Sequence, residues 1–178
     1  LLHNQLSLLY EIPSYIYFLI IAFCIIVWGV AGSFFDKKKV WLILNSVIML
    51  VTIVAVFFIT LFSREVQQSQ IVLSPFSVFS LAKTYPDVYN QMVLNIVLFL
   101  PFGLSLPFCV KSKIKRPVMF VMSVSVALSM VVEILQYVFE RGYSEVDDVL
   151  LNVLGALLGT LSYLFAQLIN NRLQKRKK

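Results

Sequence analysis

The chain has 178 residues, of which 60% are hydrophobic, 14% aromatic and 13% charged, with a mean hydropathy of +0.87. A soluble domain carries roughly 25% charged and 45–50% apolar residues, so a water-soluble globule is excluded. Disorder is excluded too, because disordered chains are poor in apolar residues and rich in charge.

Charge-free apolar stretches run over 15–35, 40–62, 91–110 and 149–169, and a fifth, 117–139, is interrupted only by Glu133. About 20 apolar residues in a helix cross a bilayer core of ~30 Å. The expected fold class is all-α: a polytopic membrane protein with five transmembrane helices in a single transmembrane domain over 1–178. No second, soluble domain has room. The first stretch lacks a preceding basic segment and is longer than a signal-peptide core, so it reads as a retained span.

The 15 Lys and Arg outnumber the 9 Asp and Glu, a balance that could suggest nucleic acid. Their distribution points to a bilayer instead. Lys37, Lys38 and Lys39 follow span one. Lys111, Lys113, Lys115 and Arg116 follow span three. Arg172, Lys175, Arg176, Lys177 and Lys178 follow span five. If the spans alternate, all three clusters share one side, and only Arg64, Lys83 and Arg141 lie opposite. The positive-inside rule then puts the N-terminus outside and the C-terminus in the cytoplasm. Attraction of the basic segments to anionic lipid follows, and no nucleic-acid partner is needed.

Between spans two and three, the outer loop 63–90 reads as interfacial or re-entrant. Its segment Ile71–Phe79, apolar apart from Ser74, Pro75 and Ser77, is expected to lie on the outer interface or dip into it and wall a cleft. Cys24 and Cys109 have neither metal-ligand spacing nor a placement for an extracellular disulfide. His3 is the only histidine. That disfavours a histidine-nucleophile lipid phosphatase, a Ser–His protease and a histidine-ligated zinc protease. An aspartyl dyad needs carboxylates from different elements, whereas Asp147 and Asp148 are neighbours whose side chains diverge on a helix.

Polar residues inside spans are expensive and usually face protein or a wet cavity. Glu133 lies about 9 Å below the outer end of span four. Ser129 and Gln136 share its helix face at i−4 and i+3. On span five, Asp148, Asn152, Gly155, Gly159 and Ser162 fall within a stripe of roughly 80°. Asn95 is one turn inside span three. Arg64, Asn95, Glu133, Gln136, Arg141, Asp147, Asp148 and Asn152 are therefore all expected in the outer third of the membrane or just above it. Plainer roles exist for several. Asp147 or Asp148 could charge and cap the N-terminus of span five. Gly155 and Gly159 could let a neighbouring helix approach. Asn95 and Asn152 could be interhelical hydrogen-bond partners. Pro101 and Pro107 withdraw hydrogen bonds from the carbonyls of Val97 and Gly103.

The stretch Asn95-Ile-Val-Leu-Phe-Leu-Pro-Phe-Gly103, then Glu133-Ile-Leu-Gln136, then Arg141 and Asp147-Asp148-Val-Leu-Leu-Asn152-Val-Leu-Gly155, resembles the VanZ family. The motif region spans about 64–159 if Ser74-Pro75-Phe76 is matched to the family's loop ending in Pro-Phe. The chain departs from the family at Ile71-Val72-Leu73-Ser74, where an Asn is common, and at Glu145, where Asp is frequent. The resemblance implies a multi-pass protein of a bacterial plasma membrane linked to resistance against teicoplanin-type glycopeptide and lipoglycopeptide antibiotics. Its partner would be a membrane lipid or lipid-linked cell-wall precursor at the outer leaflet. Arg64 and Arg141 would contact an anion, with Glu133 and Asp148 orienting them or meeting an amine. Pro75, Pro101, Gly103, Gly155 and Gly159 would serve structure.

Three readings follow. The favoured one is a non-enzymatic binder or shield without a cofactor. The second is an enzyme that modifies a lipid or cell-wall precursor, with Glu133 and Asp148 as acid–base groups and a divalent cation at Asp147 and Asp148. The third is a small transporter or lipid flippase. It is disfavoured because the inner halves of the spans offer little beyond Asn45, Ser46 and some serines. The sequence leaves the oligomeric state open.

Overall fold

Five helices in the computed structural model are long and apolar enough to cross a membrane, as the sequence led us to expect. They are α1 (Ser14–Phe35), α2 (Lys39–Phe57, continued by a π-helical turn Phe58–Phe62), α4 (Pro86–Val110), α5 (Pro117–Val138) and α6 (Val146–Lys175). A short helix α3 (Ser77–Ala82) and two strands, β1 (Gln67–Val72) and β2 (Arg141–Glu145), complete the described elements. The structure describes residues 13–35, 38–62, 66–110 and 114–176. His3, Asp36, Lys37, Arg64, Lys111, Lys113, Lys177 and Lys178 lie outside them.

Two helices overrun their charge-free stretches. α4 starts at Pro86, five residues before Gln91, and carries Asp87 in its first turn. α6 is 30 residues long, about 45 Å, and exceeds the bilayer core at both ends. Its first turn holds Asp147 and Asp148 and its last holds Arg172 and Lys175. That charge order complements the helix dipole. Pro117 opens α5, where its missing N–H costs no helix bond.

The strands are the part of the fold that the all-α expectation did not contain. They form a two-stranded parallel sheet with Gln70 opposite Tyr143, Ile71 opposite Ser144 and Val72 opposite Glu145. The parallel sense has a simple origin. α2 and α5 rise to the same end of the bundle as neighbours, and each releases its chain there in the same direction. Glu140 (φ 53°) and Gly142 (φ 110°) make the tight exit from α5 into β2. A two-stranded sheet keeps open edges, which hydrocarbon does not tolerate. The pair therefore belongs at the water boundary.

The centre of the molecule is the contact between α4 and α6, the most extensive in the fold. The two helices run in the same direction and touch backbone to backbone. A Cβ on Gly155 would lie 2.1 Å from the Ile96 carbonyl oxygen, one on Gly103 1.9 Å from that of Ala156, and one on Gly159 2.4 Å from that of Leu100. Lipid supplies no hydrophobic drive between helices, so close packing of small residues has to hold them together. Gly155 and Gly159 both face main-chain atoms of α4 at this crossing.

Around this pair, Val56, Phe99, Phe102, Leu106, Val121, Val132 and Ala156 form the main apolar core. At the basic end, Phe108 meets Trp41 and Tyr163 edge-on at centroid distances of 5.5 and 5.3 Å. There Trp28 Nε1 donates to Asn45 Oδ1 at 3.1 Å. α1 and α2 turn large apolar side chains such as Phe23, Val40 and Val54 outward, as a lipid-facing surface requires.

Candidate functional site

The end of the bundle opposite the basic clusters gathers most of the polar residues singled out above. On α4, Asn95 Nδ2 donates to Asp148 Oδ1 on α6 at 2.6 Å. On α5, the Glu133 carboxylate accepts the backbone N–H of Glu145 at 2.9 Å. Glu133 is only 6% exposed. A buried carboxylate needs such donors to remain tolerable. Asn152 Nδ2 on α6 donates to Ser129 Oγ on α5 at 2.8 Å. Gln136 Nε2 reaches the Thr60 carbonyl in the π-helical turn of α2 at 3.4 Å. Ser129, Glu133 and Gln136 are all buried on one face of α5. Asn152, Gly155, Gly159 and Ser162 are buried along α6.

Two acceptors in this group lack a protein donor among the described residues: Gln136 Oε1 and Asn152 Oδ1. Each belongs to a side chain that is at least nine-tenths buried. Unmet buried carbonyl oxygens are unusual in folded proteins and call for a water or a ligand N–H or O–H group. They flank Glu133 along α5, one near Ser129 and the other near Thr60.

Asp147 serves a different element from its neighbour. Its Oδ1 accepts the Phe76 N–H at 2.6 Å, and its Oδ2 accepts the Val78 N–H at 3.0 Å and the Ser77 hydroxyl at 3.3 Å. These are the donors at the start of α3. Asp147 thus caps a helix across the fold, whereas at the start of its own helix the cap residue, Glu145, makes no side-chain capping hydrogen bond. Phe76 itself has φ 66°, a left-handed conformation that costs a bulky residue about 1–3 kcal/mol. The carboxylate helps to hold it. Both oxygens of Asp147 are engaged by donors of residues 76–78. Among the described residues, no group of three or more His, Cys, Asp and Glu side chains could hold a metal ion.

Asp147→Ala should therefore free α3 from α6. Removing a charged acceptor and leaving buried N–H groups unmet costs about 2–3 kcal/mol. The thermal midpoint in detergent should fall, and protease should cut between Leu73 and Tyr85 sooner than in the parent. An unchanged cleavage rate would mean that other contacts fix the segment.

Of the other expected residues, Arg141 lies half-buried in β2, and Pro75 is exposed in the turn before α3. Arg64 is outside the described residues. Pro101 and Pro107 sit inside α4, which stays helical through both. Sequence reasoning did not pick out Thr60, whose carbonyl receives Gln136, or the backbone N–H groups of Phe76, Val78 and Glu145. Backbone donors leave no mark in a sequence, and Thr60 lies in an otherwise ordinary apolar run.

A model of the VanZ/LLP1 family matches residues 15–167. The chain belongs to the VanZ/LLP1 family. The match takes in all five membrane-spanning helices and the segment between α2 and α4, a wider stretch than the motifs alone cover. Protein VanZ of Enterococcus faecium is similar to this VanZ-like chain, 33% identical over 75 residues. That alignment covers 42% of this chain and 45% of the relative, so the chain spans less than half the length of the curated relative it matches. No solved structure matches the chain.

Proposed function

We propose that this VanZ-like protein resides in a bacterial plasma membrane and confers resistance to glycopeptide antibiotics of the teicoplanin type. It acts by binding or shielding a lipid or lipid-linked cell-wall precursor at the outer leaflet. Family membership supports the resistance role. One structural observation supports a binding role at one end of the bundle: Asn95, Glu133, Gln136, Asp148 and Asn152 converge from three helices, with two buried amide oxygens still lacking a donor. Such an acceptor-rich cluster suits the N–H and O–H groups of a precursor headgroup or peptide. Arg141 of β2, together with Arg64 of the preceding loop in sequence, would contact its anionic part.

The distribution of charge favours placing this end outside, since the three basic clusters are at the other. Drug and precursor meet outside the membrane, so the reading requires this orientation. Reporters fused after Lys39 and Arg116 should read cytoplasmic, and fusions after Lys83 or Tyr143 external. In a susceptible Gram-positive host, expression should raise the teicoplanin inhibitory concentration while leaving the mass of the lipid-linked precursor unchanged. A cytoplasmic reading at Tyr143 would overturn the outer-leaflet site. A modified precursor would make the protein an enzyme instead.

A further inference from the structure

The segment between the β1–β2 sheet and α4 carries a row of apolar side chains that the protein leaves uncovered. Leu73 is 71% exposed, Phe76 65% and Phe79 45%, and Leu81 and Tyr85 are also exposed. The same segment is fixed on its other side. Val78 is buried against Met92 of α4 and Leu151 of α6, with Ala82 packed beside it. Three hydrogen bonds from residues 76–78 to Asp147 hold the start of α3. An anchored element with outward aromatic residues is a surface awaiting a partner.

The depth of the anchor identifies that partner. The charge-free stretch of α4 begins at Gln91 and that of α6 at Val149. Each is about 30 Å long as helix, the thickness of the hydrocarbon core. Met92 and Leu151 therefore mark the edge of the core, and α3, packed against both, lies at that level. Phe and Tyr side chains exposed there face the headgroup–acyl boundary, where aromatic residues are favoured. Lys83, just after α3, can extend its ammonium to the water side. The surface is continuous with the lipid-facing flanks of the spanning helices.

We infer that Leu73–Tyr85 is an interfacial hook that inserts Phe76, Phe79 and Leu81 into the outer edge of the lipid core, at the same end as the polar cluster. The hook and the cluster share a peptide unit: Asp147 holds α3, and Asp148, the next residue, receives Asn95. This placement does not depend on the resistance reading, and its test does not measure resistance.

The test uses the full chain with Cys24→Ala and Cys109→Ala, reconstituted into phosphatidylcholine–phosphatidylglycerol vesicles. Nitroxide labels at Phe76→Cys, Phe79→Cys and Leu81→Cys are compared with Leu50→Cys, exposed midway along α2, and Gln70→Cys, exposed on β1. Collision with oxygen, which partitions into lipid, is measured against collision with a water-soluble nickel chelate. Labels on the hook should collide more with oxygen than with nickel, as at Leu50 and opposite to Gln70. Nickel exceeding oxygen at Phe79 and Leu81 would place the hook in water and overturn the inference. Low collision with both would show the face covered by protein, and would overturn it equally. Phe76 and Leu81 each keep the result decisive if the Phe79 variant fails to fold.

Discussion

Gly155→Ala, the addition of one methyl group, should abolish stable accumulation of the protein in the membrane. The new Cβ would sit 2.1 Å from the Ile96 carbonyl oxygen and 2.9 Å from its carbon. Both are main-chain atoms of α4 and cannot rotate away, so the two central helices would have to part by more than an ångström. That forfeits the packing of Phe99, Phe102 and Ala156 behind them and opens the cavity such a shift creates. The penalty belongs to the rare class above 4–5 kcal/mol, against a total stability of about 5–15 kcal/mol. Gly103→Ala should behave alike, with its Cβ 1.9 Å from the Ala156 carbonyl oxygen. Gly32→Ala is the informative contrast. Its obstruction is the tip of the Phe108 ring at 2.6 Å, which can swing aside. Membrane yield and detergent melting curves should rank Gly32→Ala well above the other two. Equal stability of all three would show that α4 and α6 do not meet at these glycines.

Under the proposed function, Glu133→Gln should leave the protein folded and remove the protection against teicoplanin that we assign to it. The amide keeps the size of the side chain and an oxygen that can accept the Glu145 N–H, the bond seen at 2.9 Å. Exchanging a charged acceptor for a neutral one costs about 1 kcal/mol, too little to unfold the bundle. What disappears is the negative charge. If that charge meets an amine of the ligand or orients Arg64 or Arg141, the inhibitory concentration should fall back to that of cells without the protein, at unchanged membrane abundance. A parallel fall of abundance and protection would assign Glu133 to structure. Full protection at full abundance would remove it from the site.

The two central helices, α4 and α6, are only slightly less apolar than the three around them, which explains what the sequence could and could not convey. Length and absence of charge define all five spans, because the bilayer constrains those quantities alone. Which helices sit inside is written most clearly in Gly103, Gly155 and Gly159, the positions where a side chain would block the crossing. Glu133, Asn95, Asp148 and Asn152 stood out because polar groups in a span demand partners; Asn95, Asp148 and Asn152 meet theirs on other helices, and Glu133 accepts from Glu145 at the end of β2. The sheet stayed hidden. Gln67-Gln68-Ser69-Gln70 has no alternation of apolar and polar residues, and its pairing follows from where α2 and α5 happen to end. Asp147 could be read as a helix cap from its position, but the helix that it caps is far away in the chain and its donors are main-chain groups.

The distance along the chain between these partners also orders the protein's birth. Phe76 and Asp147 are 71 residues apart, and two complete membrane spans, α4 and α5, are made between them. During synthesis β1 emerges without β2, α3 without its carboxylate, Asn95 without Asp148 and Glu133 without the Glu145 N–H. Gly103 has no Ala156 to rest against. β2 and the Glu145 N–H follow directly after α5, but the helix crossing, the α3 cap and the Asn95 partner wait for α6, because membrane spans insert singly and assemble afterwards, and synthesis runs from the N-terminus. A nascent chain of four spans is thus a set of half-made joints with polar groups facing lipid. The arrival of α6 completes the helix crossing, the α3 cap and the Asn95–Asp148 bond together. Quality control in the membrane therefore has one state to recognise, the chain before its fifth helix docks, and function begins at the moment that this state is lost.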